Sequence, residues 1–589
     1  MIPFALGHFD PRSLNSLLVD ESTAVCRERF VHGITEVTNK VLNSVSRGRL
    51  DHPVSQPSSA IALPSFPRHL WSSARSEGFL EVKDYARSLT EKVLNRLPRS
   101  VKCSAIPADR CDVCQAPIDI LPDEALLEVF DNYVRESNKK KNGWMTLLHV
   151  CRRWRNVVFG SPCHLNLQLV CSDKTPVRRT LDIWPPFPIV IYQHFHPARD
   201  MDNILAALEH IDRISRITLY HVPSAQMEKV KPAMQDLFPA LTHLQLFSPK
   251  TSLVAADLIF GGLAPRLRVL ALDGIAIRGI PKLLLSATDL VALDLIRIPH
   301  SDYISPEAMV ISLSGLPRLK FLYLGFKSPQ SRPDQERRRP PPPSLTVLPA
   351  LTSFLFRGVS EYLEDLLSRI NTPQLDQLFI TYFHQLIFDT PHLTQFISRI
   401  PTLKAHDQVQ ARLVFSERHV GVIFPRILRG VFALRILCDD LDWQLSSLVQ
   451  ICISSLPQAL TSTDNLFIVE KSDSQAHRPD DIENSQWLEI LRQFTTVKNL
   501  YLSKELAQRV APALQELIEG QAVESLPSLQ SLFLEELHPS GVVEEAIGRF
   551  VAARQSSGHP ITISPWKRDI PWSWVFGTPW AYLLPVLLE

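Results

Sequence analysis

The chain has 589 residues, enough for about four domains of ~150 residues, or for one long repeat array beside a smaller domain. With 62 Lys plus Arg against 61 Asp plus Glu, the net charge of +1 supplies no general field for nucleic acid or an anionic membrane. Hydrophobic residues at 45% and charged ones at 21% exclude a wholly disordered chain. The 46 Pro against 20 Gly exclude a collagen-like repeat and supply many fixed turns.

The opening MIPFALGHFDPRS has no basic n-region, and His8 and Asp10 interrupt its apolar residues, so it does not read as a signal peptide. Nine cysteines, seven of them before residue 172, form no regular framework. Together these features point to a reducing cytosol or nucleus. Ile34, Val37, Val41, Leu42 and Val45 have helical spacing, 53–67 has linker composition, and a second helical run from Phe79 to Leu97 ends at Pro98. Residues 1–117 therefore read as a helical or partly disordered region without a chemical signature.

The next stretch is more specific. In IDILPDEALLEVFDNYV (118–134), Pro122 suits a first helical turn and Asp123 and Glu124 complement the positive end of the helix dipole. Leu126, Leu127, Phe130 and Val134 form one apolar stripe. After the polar interval RESNKKKNG (135–143), Trp144, Leu147, Leu148, Cys151 and Trp154 repeat helical spacing. A compact hairpin of two helices, or three, is expected over 118–165, joined to the rest by a connector at 166–189. So small a unit has little core of its own, so its apolar surface must meet either a partner or the neighbouring repeats.

From about residue 190 the pattern becomes L-x-x-L-x-L: Ile214/Ile217/Leu219, Leu241/Leu244/Leu246, Leu267/Leu270/Leu272, Leu290/Leu293/Leu295, Leu319/Leu322/Leu324, Leu351/Phe354/Phe356 and Leu375/Leu378/Ile380. First positions fall 27, 26, 23, 29, 32 and 24 residues apart, a period of leucine-rich-repeat length. The longest step contains the insertion SPQSRPDQERRRPPPPS at 328–344. Copies return at Val497/Leu500/Leu502 and Leu529/Leu532/Leu534. Between them, 413–415, 434–438 and 466–470 are strand candidates at best. Each unit predicts a strand, a turn and a helix, stacked into an array over 190–565 because no unit buries its apolar side alone. The residues between the leucines face the opposite way. Of these, His243, Gln245, Asp273, Asp294, Phe321, Tyr323, Arg357, Phe379, Tyr501 and Phe533 are the candidate partner-binding residues, the aromatics because exposed rings mark binding surfaces.

Other features carry less. Cys111 and Cys114 form a C-x-x-C pair with Cys103 upstream, but no second pair completes a zinc site. His194, His196 and Asp200 are a weak ligand pattern. Arg337–Arg339 precede four prolines in what reads as a solvated loop. Residues 570–588 hold no charge, but Pro571, Pro579, Pro585 and Gly577 disfavour a membrane helix, so 566–589 reads as an apolar tail that packs. No phosphate loop, H-E-x-x-H, G-x-S-x-G or G-x-G-x-x-G occurs. The chain is expected to be no enzyme, with no catalytic residues, metal or cofactor.

At LPDEALLEVF (121–130) and LLHVCRRWRNVVF (147–159) the chain resembles an F-box. The stretch HLNLQLVCSDKTPVRRTLDIWPPFPIVI (164–191) resembles the segment after the F-box in mushroom-type fungal F-box proteins with C-terminal leucine-rich repeats. The resemblance implies an α/β chain: a small all-helical F-box module, then an irregular leucine-rich-repeat solenoid. It further implies a substrate receptor of a Skp–cullin–F-box ubiquitin ligase, cytoplasmic or nuclear, with a protein substrate and neither nucleic acid nor membrane as partner. Leu121 and Pro122 would contact the Skp-type adaptor. Leu126, Phe130, Val150 and Trp154 would contact it or form the module's core. The rival expectation is a repeat scaffold whose hairpin is a structural cap. Two departures stand out: RESNKKKNG replaces a tighter apolar turn, and Pro249, Ile275, Ile298 and Lys327 occupy the places of the usual Asn ladder, so the array should be irregular.

Overall fold

The computed structural model describes residues 121–568, apart from short internal stretches of which 138–142, 194–200, 255–262, 330–343, 404–409, 472–483, 520–525 and 536–541 are the longer. The expectations for residues 1–117, the 194–200 histidines, the 337–339 arginines and the tail from 570 lie outside the described residues. The chain divides into two compact units, residues 1–170 with 181–187, and residues 171–180 with 188–589. The stretch read as a connector, 166–189, is thus shared between them.

In the first unit, α1 (Asp123–Ser137) begins immediately after Pro122, with Asp123 and Glu124 in its first turn. The single period read through Trp144–Trp154 is split. Gly143–His149 is a 3-10 helix, and α2 (Arg152–Gly160) starts afresh because Cys151 takes an extended backbone and caps it, its Sγ accepting from Trp154 N at 3.5 Å. Leu126, Phe130, Trp144, Leu147, Leu148, Trp154 and Val158 are buried, and the Phe130 and Trp154 rings meet at 4.7 Å. Arg153 pairs with Asp123 at 2.7 Å and Arg155 donates to Leu148 O at 3.0 Å, so Arg153 and Arg155 tie the three pieces together.

The second unit is a strand–helix solenoid. Its strands are β1 (Ile189–Tyr192), β2 (Ile214–Tyr220), β3 (His243–Phe247), β4 (Val269–Asp273), β5 (Ala292–Ile298), β6 (Phe321–Phe326), β7 (Ser353–Gly358), β8 (Gln377–Phe383), β9 (Gln410–Ser416), β10 (His419–Pro425), β11 (Val431–Leu437), β12 (Asn465–Glu470), β13 (Asn499–Leu502), β14 (Ser531–Glu535) and β15 (Thr562–Trp566). From β1 to β8 the order is sequential and every pairing is parallel. The leucines of the repeats lie in register: Leu244 beside Leu270, then Leu293, Leu322, Phe354 and Leu378, each with no exposed surface. The outer helices α3 (Asp202–Leu208), α4 (Ser224–Val230), α5 (Ile280–Ser286), α6 (Pro306–Ser314), α7 (Ser360–Leu367), α8 (Pro391–Arg399), α9 (Leu441–Ser455), α10 (Asn484–Arg492), α11 (Lys504–Glu519) and α12 (Val542–Ser556) complete the units, and from α5 onward each packs on the next.

Where the repeats degenerate, the sheet reverses. β8 pairs in parallel with β11, β11 and β10 run antiparallel, as do β10 and β9, and β9 rejoins β12 in parallel. The three strand candidates are strands, and β10 is an addition between two of them. A two-residue turn, Glu417-Arg418, joins β9 to β10, with Ser416 Oγ 2.6 Å from His419 Nδ1. Helix α9 packs on β10 and β11, and its fully buried Gln444 donates from Nε2 to Ser416 O and Cys438 O at 2.9 and 2.7 Å. Just before the strands, hydroxyls reach the preceding unit's carbonyl: Thr242 to Ser215 O, Thr352 to Lys320 O and Thr496 to Thr463 O, at 2.9–3.1 Å.

One buried carboxyl sets a pH dependence. Thr390 makes no side-chain cap for α8. Instead, Glu364 of α7 accepts from His392 N and Leu393 N at 2.6 and 2.9 Å. Burial pushes its carboxyl up to about 7, against the amide donors that act to lower it. The folded form therefore holds a proton that the unfolded chain releases near 4.5. Stability should fall as pH rises from about 4.5 to about 7, by at most about 3 kcal/mol, and level off above. Urea midpoints measured across that window should show this slope in the wild type and not in Glu364→Gln.

Candidate interaction surface

Strand alternation places the residues between the leucines on the sheet's other side. The ten residues read as partner-binding all lie there, in three registers, of which the first holds His243 and Phe321 in line with Val269 and Ala292. Thr218, Gln245, Ala271, Asp294, Tyr323, Leu355, Phe379 and Ala433 form one transverse row, and Gly325, Arg357, Thr381 and Arg435 belong to the next.

The surface is more enclosed than simple alternation implies. Val269, Ala292, Phe321 and Leu355 form a buried apolar cluster against which Tyr323 and Phe379 pack. Phe321 is 4% exposed, so it is core, and the aromatic edge on offer is Tyr323. Beside this cluster, groups of both signs converge. Asp273 pairs with Arg297, which also donates to Ser248 O at 3.2 Å. Arg297 has a left-handed backbone (φ 50°) at the register shift between β5 and β6, and this irregularity accompanies its turn back to β4. Asp294 is 4% exposed and its Oδ1 has no hydrogen-bond partner among the described residues. Burial, then the nearby Asp273, drives its pKa well up. Burial likewise raises Tyr323, which feels Arg357 and Arg435 on one side and Asp294 and Asp273 on the other. Arg435 is held down to about 10 by burial, with Arg357 adding to the effect. The Arg357 guanidinium lies over the Phe383 ring at 5.4 Å.

Sequence reasoning missed Arg435 because its repeat is degenerate, although the alternation of L-R-I-L over 434–437 carries the signal. His243 stands apart from this cluster, beside Arg216 and Arg268; burial first, then those charges, lowers its pKa to about 3, so it is neutral at pH 7. Gln245 accepts from Thr218 at 3.2 Å.

Tyr501 and Phe533 belong to a second stretch, where the row of Gln245 and Tyr323 continues from Ala433 through Ile423, Arg412, Phe467, Tyr501 and Phe533. The three rings stack nearly parallel at 4.1 and 4.4 Å. Arg412 lies 5.3 Å over Phe467, and Trp566 meets Phe467 and Tyr501 edge-on. Neither Phe467 nor Trp566 is among the residues that alternation alone nominates.

In the helical unit, Leu126, Phe130 and Trp154 are at most 3% exposed and form its core, while Pro122 is exposed and Leu121 and Val150 are half-buried. Leu127, Val129 and Tyr133 of α1 are also half-buried. An apolar surface thus remains on this unit, narrower than its sequence stripe.

Among the described residues no group of three or more His, Cys, Asp or Glu side chains could hold a metal ion, and no helix is long and apolar enough to cross a membrane. A groove of about 310 Å³ between α11 and α12, lined by Gln508, Pro512 and Arg549 among others, contains none of the residues above.

No family model and no curated protein matches the chain. Among solved structures, the leucine-rich repeat-containing protein LegL7 from Legionella pneumophila is similar over 58% of this chain and 95% of its own, at 14% identity and a TM-score of 0.23. So low a score carries no argument. The repeat architecture rests on the parallel register of this chain's own strands.

Proposed function

We propose that this chain is a noncatalytic, repeat-based receptor that holds another polypeptide on the side of its sheet opposite the leucines. We further propose that the helical unit is an F-box coupling it to a Skp-type adaptor and the cullin ligase core. The observation that carries the receptor reading is a pair of transverse rows, with the part-exposed Gln245, Tyr323 and Phe379 in one and the part-exposed Arg357 and Arg435 in the next, on strands about 4.8 Å apart. Such rows offer recognition groups to an extended partner and supply no nucleophile–base pair. The mechanism is effective concentration. A target held next to a ubiquitin-loaded enzyme presents its lysine in a quasi-intramolecular reaction, so the receptor needs no chemistry of its own.

The F-box arm is supported by the resemblance at 121–130 and 147–159, together with the accessible apolar positions Leu121, Pro122 and Val150. Its test is capture of the full chain by an immobilised Skp-type adaptor. Wild type should bind, and Leu121→Asp with Val150→Asp should bind at least tenfold more weakly with unchanged thermal melting. Should the wild type fail to bind, the ligase arm is lost and the second reading, a scaffold capped by its own hairpin, takes its place.

A further inference from the structure

The last strand and the residues after it direct the chain back across its own aromatic row. Arg568, two residues past β15, donates to Glu470 O of β12 at 2.9 Å and pairs with Glu535 of β14 at 2.5 Å and with Glu505 at the start of α11 at 3.5 Å. Three strand spacings separate β15 from β12, about 14 Å at ~4.8 Å each. An arginine side chain spans about 7 Å and its hydrogen bond adds 2.9 Å, so the backbone at Arg568 lies about one strand spacing back from β15, over β14. Lys567 and Arg568 thus lead from the end of β15 in the direction of β12.

The surface between β15 and β12 has a defined chemistry. Phe467, Tyr501 and Phe533 use their faces on one another, so they present ring edges outward. Ring edges carry the positive end of the quadrupole and take another ring's face or a T-shaped contact. Trp566 already makes that contact, at 70° to Phe467 and 80° to Tyr501, with its indole N–H given to Leu502 O at 3.2 Å. Beyond β12 the same side continues as a buried apolar cluster of Val414, Ile423, Ala433 and Val469.

The next residues of the chain, 570–588, carry no charge and contain Trp572, Trp574, Phe576, Trp580 and Tyr582. We propose that this C-terminal segment is the occupant of the aromatic row, docking along β14, β13 and β12 as an intramolecular cover. Nineteen residues extend to roughly 60 Å, against about 34 Å for the seven spacings from β15 to β8, so reach is ample. Linkage makes the contact effectively unimolecular. This self-docking stands independently of the receptor reading; that a partner must displace the segment rests on it.

The probe is a fluorescein-labelled peptide of residues 569–589 with a solubilising lysine tag. It should bind a chain ending at Arg568 saturably and the full chain at least tenfold more weakly. The same peptide with its three tryptophans replaced by serine should not bind, which needs no variant protein to fold. Trp572→Asp with Trp580→Asp in the full chain should restore binding of the wild-type peptide. Equal binding to the full and truncated chains, or equal binding of the serine peptide, overturns the proposal. So does partition of the full chain onto phosphatidylcholine vesicles that is lost on truncation, since the segment's occupant would then be a membrane.

Discussion

Trp154→Ala should abolish protection of the helical unit while leaving the solenoid intact. Trp154 is 3% exposed and its ring lies 4.7 Å from Phe130, itself 1% exposed. Truncating so large a buried ring costs about 3–5 kcal/mol. A helical unit of this size has little stability to spare, because its surface is large for its core. Cys151 Sγ caps α2 through Trp154 N, and Arg153 ties α2 to Asp123, but both contacts depend on α2 keeping its position. Hydrogen exchange should show amides 123–134 and 152–160 losing at least about a hundredfold in protection, while amides of β4–β8 keep theirs. Val150→Asp, at a half-buried position, should leave protection within a few-fold of wild type. The pair of variants separates loss of adaptor capture by unfolding from loss of a contact. If Trp154→Ala retains protection, the ring is not the module's keystone and the F-box assignment loses its structural footing.

The leucine registers were legible because they combine two signals, a period of two within each strand and a period near 27 between strands, and the structure honours both from Ile217 to Leu378. β10 was not legible. In HVGVIFP, Val420, Val422 and Phe424 are buried on one side and Ile423 on the other, so alternation vanishes, and Gly421 resembles a breaker. That glycine is required by the pairing: a Cβ there would sit 2.8 Å from Leu434 O of β11. The strand order β8-β11-β10-β9-β12 could not be read either, since it depends on long-range pairing across the α9 connection rather than on any local pattern. At the surface, alternation identified which residues share a side, and could not tell that Phe321 and Asp294 would be enclosed. Enclosure depends on the neighbouring rows, and those involve Arg435 and the degenerate repeats.

The solenoid tolerates this irregularity because its units are coupled pairwise along the outside as well as through the sheet. Thr346–Val347, just after the 328–344 insertion, pairs in parallel with Ile370–Asn371, and Thr346 N donates to Arg369 O at 2.8 Å. The residues that follow the insertion are thereby stapled to the next unit, and the strands on either side of it keep register: Ser353 with Phe321, Leu355 with Tyr323. Arg357 depends on that register for its proximity to Asp294 and Tyr323, which pair with each other before the insertion.

Glu307→Ala should therefore be among the costliest single changes in the solenoid, about 3–5 kcal/mol in urea unfolding. Glu307, in the first turn of α6, meets Arg369, just past α7, at 3.0 Å, with side chains only 13% and 7% exposed. Removing the carboxylate takes a counter-charge at 3.0 Å from a desolvated guanidinium that cannot shed its proton. The carboxylate's position in the first turn of α6 adds a favourable interaction with the helix dipole that is lost as well. Replacing both partners together, Glu307→Leu with Arg369→Met, should cost less than either single change, because a well-packed apolar pair carries no desolvation penalty. A cost below about 1 kcal/mol for Glu307→Ala would falsify the view that this pair is a buried clasp and reassign it to the weak surface class. The expected order, single variant far below wild type and double variant between them, also bears on binding. If register across the insertion is what brings Arg357 to Asp294 and Tyr323, the single variant should weaken any partner of those rows before the chain unfolds, and the double variant should restore it.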